Sequence, residues 1–531
     1  MAATHFKEAY VIGFTKLHAH HTCRVINNKM RLALACLAAA VAQGGVIQGV
    51  VLEHSSGLPL ARTRVRLDAV LKNGAPPVRP IQAMTNRTGG FIFPAVPDGM
   101  YLLSCQRAEY FPAAHGQRRP NGQGTAVVVT PDSTLFAELR MRRMGAITGR
   151  ILDENSVGIA NVPVVAYRAR LPLRVAAHAV ADDRGIYRIH GLDPGKYWVR
   201  SEAYTLEDGS GLLPTFAPQS RETRDARAYD VRVDEETADA DIRPEFGTLF
   251  HLTGKILCPA GPVAVTLSSD VGRRVTAGAC GRPYTFQGLA PGAYEVFATS
   301  SDETQSGFAE LFLDRDSANG DVQLIANPQV DFEARRPGST SPIKVPMKIS
   351  GRRQDLAEAD TEREINALRS VLAPGHWEMR AAPGPGQYIE SIANFLPSAR
   401  RIINDRPTEW FDVQIQSRLA ERVIISISDQ AGTINGAVVA DGKSVPAAPV
   451  FLWPVSEGSR RSLGGPKQVL SDTEGQFSFD ALPPGDYRLL ATFDVSLGEI
   501  DADLMESAHA QTLPVASSQR INSDVRLILL P

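Results

Sequence analysis

One short phrase is written five times along the chain: a hydrophobic residue, Pro-x-Gly or a close variant, one further residue, and an aromatic. The copies are Val96-Pro97-Asp98-Gly99-Met100-Tyr101, Leu192-Asp193-Pro194-Gly195-Lys196-Tyr197, Leu289-Ala290-Pro291-Gly292-Ala293-Tyr294, Leu372-Ala373-Pro374-Gly375-His376-Trp377 and Leu482-Pro483-Pro484-Gly485-Asp486-Tyr487. Pro directly before Gly suits a type II turn, because Pro presets φ at the second turn position and Gly accepts a positive φ at the third. Such a turn launches a strand. The aromatics that follow, Tyr101, Tyr197, Tyr294, Trp377 and Tyr487, are expected to be structural anchors buried in five separate cores.

The copies lie roughly 80 to 110 residues apart, too far for a solenoid unit and close to the ~100-residue mode of independent domains. The expected division is 1–29 an extension ahead of the true start, 30–42 a signal peptide, 43–143, 144–244 and 245–328 β-sandwiches, 329–430 a divergent β-sandwich, and 431–531 a fifth. A charged fraction of 21% and a net charge of -2 leave no electrostatic footprint for nucleic acid. The 44 Gly and 36 Pro, set among short alternating strands, indicate many turns.

Lys29-Met30-Arg31 is a basic n-region, Leu32 to Ala40 an apolar h-region, and Ala40-Val41-Ala42 a cleavage site before Gln43. The mature chain is therefore expected to start near Gln43, with Met30 the initiator. The apolar run is far short of the ~20 residues that span a bilayer, so no membrane span is expected after cleavage. Cys36 lies inside the h-region and lacks a good lipobox. Export, whether to periplasm, outer surface or medium, leaves Cys105 as a buried thiol on a strand face, and Cys258 and Cys280 as candidates to pair within one repeat.

Each repeat opens on apolar residues alternating around a Gly: Ile47-Gln48-Gly49-Val50-Val51, Ile147-Thr148-Gly149-Arg150-Ile151, Leu252-Thr253-Gly254-Lys255-Ile256 and Ile434-Asn435-Gly436-Ala437-Val438. Gly inside a strand marks a bulge or a close backbone approach. An Asp-x-x-Gly turn then feeds an alternating strand, at Asp182 to Gly185 and Asp472 to Gly475, with Asn86 and Gly89 in the first repeat. Strands such as Leu135-Phe136-Ala137-Glu138-Leu139 close each unit. The fold class expected is all-β, a tandem array of about five small antiparallel β-sandwiches. Asp355 to Val371 alone reads as helical. In the third repeat Ala279 and Arg282 replace the turn Asp and Gly, and a Cys258–Cys280 bridge could hold the turn instead; in the fourth, Ala334 stands nearest the opening Gly.

This pattern resembles the carboxypeptidase regulatory-like domain, a transthyretin-like or prealbumin-like sandwich related to the Cna B-type and carbohydrate-binding-like folds. The order of signal peptide, repeated units and a last unit from Gly432-Thr433-Ile434-Asn435-Gly436 to Pro483-Pro484-Gly485-Asp486-Tyr487 is similar to exported acidobacterial proteins of this kind. The resemblance covers residues 45 to 531 and implies a fold and an accessory role, without peptidase activity. Cna B-type domains can carry a Lys-to-Asn or Lys-to-Asp isopeptide bond; Lys255 alone lies in a comparable place, and no repeat shows the full set.

The chain offers little for catalysis. The one His-x-x-Glu, His5 to Glu8, and the cluster His18, His20, His21 and Cys23 precede Met30, so no metal or other cofactor is expected. Asp314 to Asp321 reads as an Asn-Gly hairpin turn rather than a calcium loop, and Asp234 to Asp241 as a solvated strand edge. Trp198 and Trp453 read first as core or junction packing, Trp453 standing before Pro454, with sugar contact as the alternative. The functional reading is a non-enzymatic exported protein whose modules serve structural, adhesive or binding roles at the cell envelope, with an unknown protein or polysaccharide as partner. Its alternatives are a carbohydrate-binding accessory protein and a hydrolase with an unrecognised active site. Nearly linker-free junctions, as between Arg143 and Ala146, predict a rod on the order of 120–170 Å.

Overall fold

The structure, a computed structural model, describes residues 44–171, 173–269, 272–317, 319–353, 362–394, 409–416 and 421–530. The signal peptide, the His18–Cys23 cluster and Cys36 lie outside the described residues.

The chain is all-β and forms five successive small sandwiches, each around its own apolar core. The cores run from Ile47 to Met141, Ile147 to Ile242, Leu252 to Leu324, Val330 to Ile427 and Ile434 to Val525. In the first sandwich a three-stranded sheet has Gly45–Glu53 at its centre, between Gly90–Val96 and Thr134–Met141, and a second sheet is built on Arg64–Ala69 and Gly99–Gln106. Most pairings are antiparallel. The opening strand, however, pairs parallel with the closing one in every sandwich, as in the register Gly49↔Ala137 or Ala334↔Ile425.

The opening glycine owes its place to that parallel neighbour. A Cβ on Gly49 would stand 1.8 Å from the Ala137 carbonyl oxygen, and on Gly149, Gly254 and Gly436 between 2.0 and 2.3 Å from the oxygens of Ala240, Gly320 and Ser523. Backbone cannot yield that far, so only Gly fits. An aromatic on the next strand packs over this glycine: Phe91, Tyr187, Tyr284 or Phe477. The two tyrosines donate their hydroxyls to the same closing-strand carbonyls, of Ala240 and Gly320.

The Asp-x-x-Gly turns form as the residues require. Asp182 Oδ1 accepts from the backbone N–H of Arg184 and Ile186 at 2.9 and 2.8 Å, Asp472 repeats both bonds with Glu474 and Gln476, and Asn86 does so with Thr88 and Gly90. Gly89, Gly185 and Gly475 take φ of +72°, +75° and +80°, the left-handed region that glycine tolerates. The Pro-Gly turns differ from expectation. Gly99, Gly195, Gly375 and Gly485 have φ of 143° to 154°, far from the ~+80° of a type II turn, and each begins the next strand.

Three other expectations are corrected. Arg363–Ile365 and Arg369–Val371 are strands where a helix was expected, while short helices occur at Glu457–Leu463 and Ala502–Ser507, which carry no long apolar period. Among the described residues of the stretch from Asp314 to Asp321 no hairpin pairing forms: Ser317 bridges Leu252 in parallel, and Asp316 and Asp321 accept from the N–H of His251 and Lys255 at 2.8 and 2.7 Å. Nor is Asp234 to Asp241 merely a solvated edge. Asp241 accepts from Arg150 N at 2.8 Å, and Asp234 from Arg143 N at 2.6 Å, across the junction of sandwiches one and two.

The fifth sandwich meets the first. Lys72 pairs with Glu474 at 2.7 Å, Asn73 Nδ2 donates to the Gln476 carbonyl at 3.2 Å, and Gln123 N donates to the Phe493 carbonyl at 2.8 Å. Arg119 donates to the Leu530 carbonyl at 3.0 Å, and Arg118 lies 3.5 Å from the buried Asp494. A straight rod has no such contacts.

Candidate functional site

The five motif aromatics share one hydrogen bond. Tyr101, Tyr197, Tyr294 and Tyr487 donate their hydroxyls to the carbonyls of Pro97, Asp193, Ala290 and Pro483 at 3.0, 2.8, 2.8 and 2.6 Å. Trp377 does the same through Nε1 to Ala373 at 2.9 Å. The acceptor is always four residues back, at the second position of the motif. The ring thus fills the core while its polar edge ties down the turn that delivered it. A buried donor left unpaired would cost ~1–3 kcal/mol, so the bond and the burial support each other. Four of these aromatics are buried, Tyr487 completely. Tyr294 departs from expectation: it is half-buried at the margin of the third core. Burial pushes the phenols of Tyr101, Tyr197 and Tyr487 above their ordinary value. The spacing from aromatic to carbonyl was present in the sequence as a constant interval.

Cys258 and Cys280 are joined, with Cα atoms 5.2 Å apart. Cys280 N donates to the Gly261 carbonyl at 3.1 Å, and Gly281, one place earlier than in the other repeats, supplies φ +72°. The bridge pins the turn that lacks an Asp. Cys105 is buried, and burial pushes its thiol up to about 12, which leaves it unreactive.

The two tryptophans are not brought together. Trp453 is 8% exposed, within a second apolar cluster of the fifth sandwich that includes Phe451, Leu490, Met505 and Leu530, with the Arg460 guanidinium 5.4 Å from its ring centroid. It offers no open face to a sugar. Trp198 is half-buried opposite Tyr167, on the face where Arg200 lies between Tyr167 and Phe216. Lys255 is exposed, which removes the buried setting an isopeptide bond needs. Among the described residues, no three His, Cys, Asp or Glu side chains are grouped to hold a metal, and no helix is long and apolar enough to cross a membrane.

Two open clefts gather arginines, a grouping the sequence did not reveal. One, of about 270 Å3 on the first sandwich, is lined by Arg118 and Arg119 from the loop after the strand Ala113–Ala114, by Glu138 and Arg140 of the closing strand, and by Arg142 and His54. The other, of about 160 Å3 on the second sandwich, is lined by Arg168, Arg170, Arg174 and Asp193. Glu138, Arg140 and Arg142 alternate in sequence and so share one side of the strand and its extension. The approach of the loop is a long-range contact that no local pattern records.

No protein-family model matches the sequence, and no curated protein matches it. Solved structures similar to parts of the chain include the minor pilin of Streptococcus agalactiae, with 15% identity, 38% of this chain and 97% of that chain covered, and a TM-score of 0.22. The major pilin subunit BcpA of Bacillus cereus has 9% identity, 53% and 97% coverage and a TM-score of 0.15. The shaft pilin SpaA of Lactobacillus rhamnosus GG, as a double mutant, has 10% identity, 54% and 97% coverage and a TM-score of 0.17. Likenesses this distant say nothing of what this chain binds or does.

Proposed function

We propose that the chain is a non-enzymatic exported protein whose five sandwiches serve as structural and binding modules at the cell envelope. The observation that carries this reading is the use to which the recurring polar residues are put. The motif hydroxyls hold turn carbonyls, Asp182 and Asp472 hold turn amides, and Asp241, Asp321 and Asp524 each accept from the residue after an opening glycine at 2.7–2.8 Å. Residues repeated for geometry are thereby accounted for by geometry. The resemblance to the carboxypeptidase regulatory-like domain supports an accessory role, and the leader-like Met30 to Ala42 supports export.

Fractionation of the native host, with N-terminal sequencing of the recovered chain, tests the reading. A product in the envelope or medium that begins near Gln43, and that turns over neither peptidase nor glycosidase substrates, is the expected result. A cytoplasmic chain retaining residues 1–29, or turnover by the pure protein, would contradict it.

A further inference from the structure

We propose that the arginine cleft of the first sandwich binds an acidic saccharide, a sugar carrying sulfate, phosphate or carboxylate beside free hydroxyls. This deepens the reading above and rests on it for where such a ligand is met; the binding itself does not depend on export.

Arg118, Arg119, Arg140 and Arg142 line a cleft of about 270 Å3, where three of them have a carboxylate partner and Arg119 has none. Arg140 donates to Glu138 at 2.6 Å, Arg142 lies 3.3 Å from Asp234, and Arg118 lies 3.5 Å from Asp494. Arg119 donates to a neutral carbonyl, that of Leu530. Each guanidinium carries five donors in a planar fork, so these bonds leave donors for an oxyanion, which such forks take in bidentate fashion. Glu138 decides between ligand classes. A carboxylate among the arginines can accept from sugar hydroxyls, donors that the side chains of an acidic peptide do not offer. The volume lies below the ~300–1,000 Å3 of sites that enclose a drug-sized ligand, which suits one charged unit of a polymer lying across an open cleft. The second cleft, with Arg168, Arg170 and Arg174 beside Asp193, repeats the same mixture of charges on the next sandwich. A polymer with an anion on many units could use both.

The test is calorimetric titration of the intact purified chain with a heparin tetrasaccharide, with tetragalacturonate and with a hexaglutamate peptide, in low salt and again in 0.5 M NaCl. At least one saccharide is expected to bind and to weaken in high salt. Heparin alone binding would specify sulfate, and both binding would specify carboxylate as sufficient; either supports the proposal. Arg140→Gln should weaken the saccharide about tenfold, while Arg66→Gln, a control on the other sheet, should leave it unchanged. Neither saccharide binding, an unchanged affinity in the Arg140 variant, or hexaglutamate binding as tightly as the sugars would overturn the proposal. If Arg140→Gln does not fold, phenylglyoxal labelling of the unaltered protein decides. The saccharide should protect Arg118, Arg119 and Arg140, and labelling at an undiminished rate would refute the site.

Discussion

The third and fifth sandwiches follow one strand plan and hold it by different means. In the fifth, Asp472 caps the turn, Tyr487 is fully buried, and a second cluster around Phe451 and Trp453 backs the outer side of the sheet. The third has lost the Asp, keeps its turn by the Cys258–Cys280 bridge, and leaves Tyr294 half-buried. On its outer sheet face Arg353 covers Phe297, while Phe308 and Phe312 are each 71% exposed. Yet the bond from ring to turn carbonyl is within 0.2 Å of the same length, 2.8 against 2.6 Å. The turn lock is thus the constant of the repeat, and the support around it varies.

The largest expected effect follows from that contrast. Tyr487→Ala empties a closed core and frees a turn, and should cost the fifth sandwich ~3–5 kcal/mol, while Tyr294→Ala should cost the third no more than about 2. Hydrogen exchange resolved by peptide would show each loss confined to its own sandwich. Equal losses would break the comparison. Next comes reduction of the bridge. Closing a loop with a sequence separation of 22 is worth about 3 kcal/mol in the chain-entropy model, so reductant should lower protection in residues 250–313 and leave the fifth sandwich untouched. Melting of the fifth under reductant alone would contradict the assignment.

The smallest effect sharpens the comparison with a third member. The phenols of Tyr101, Tyr197 and Tyr487 are raised by burial, and that of Tyr284 in the third sandwich is raised to about 12. A phenol raised on folding contributes stability that is full below its unfolded pKa of ~10 and is lost as pH rises through the folded value. Near pH 11 the first, second, third and fifth sandwiches should each have begun to lose stability. The fourth, whose lock is the non-titrating Trp377, should lose less, as read by exchange at matched intrinsic rates. Uniform loss across all five would place the alkaline sensitivity elsewhere.

What could be read from the sequence was local. The turn of Asp182, the close approach at Gly149 and the anchoring of Tyr197 depend on residues a few places apart, or on a void that only glycine fits. The parallel pairing of Gly49 with Ala137 was hidden, because a closing strand has the same alternating pattern whichever direction its partner runs. That Trp453 packs at a junction was legible, but not with what: its cover, Met505 and Leu530, comes from sequence with no period that points to it. Asp355 to Val371 read as helical; 355–361 lie outside the described residues, and in the remainder tertiary pairing of Ile365 with Ile349 and of Val371 with Gln329 prevailed. Arg118 and Arg119 showed their charge but not that a loop would carry them both to the cleft and to the fifth sandwich.

The return of the fifth sandwich onto the first is the feature that separates this array from a rod, and it has a direct chemical test. Lys72 Nζ and Glu474 Oε1 are 2.7 Å apart and both side chains are largely exposed, at 64% and 59%. A zero-length carbodiimide should therefore join them by an amide within one chain, at dilution where dimers are absent, and mass spectrometry of the digest should show the peptide pair. Coupling of Lys72 only between chains, or only to neighbours within the first sandwich, would contradict the closed arrangement.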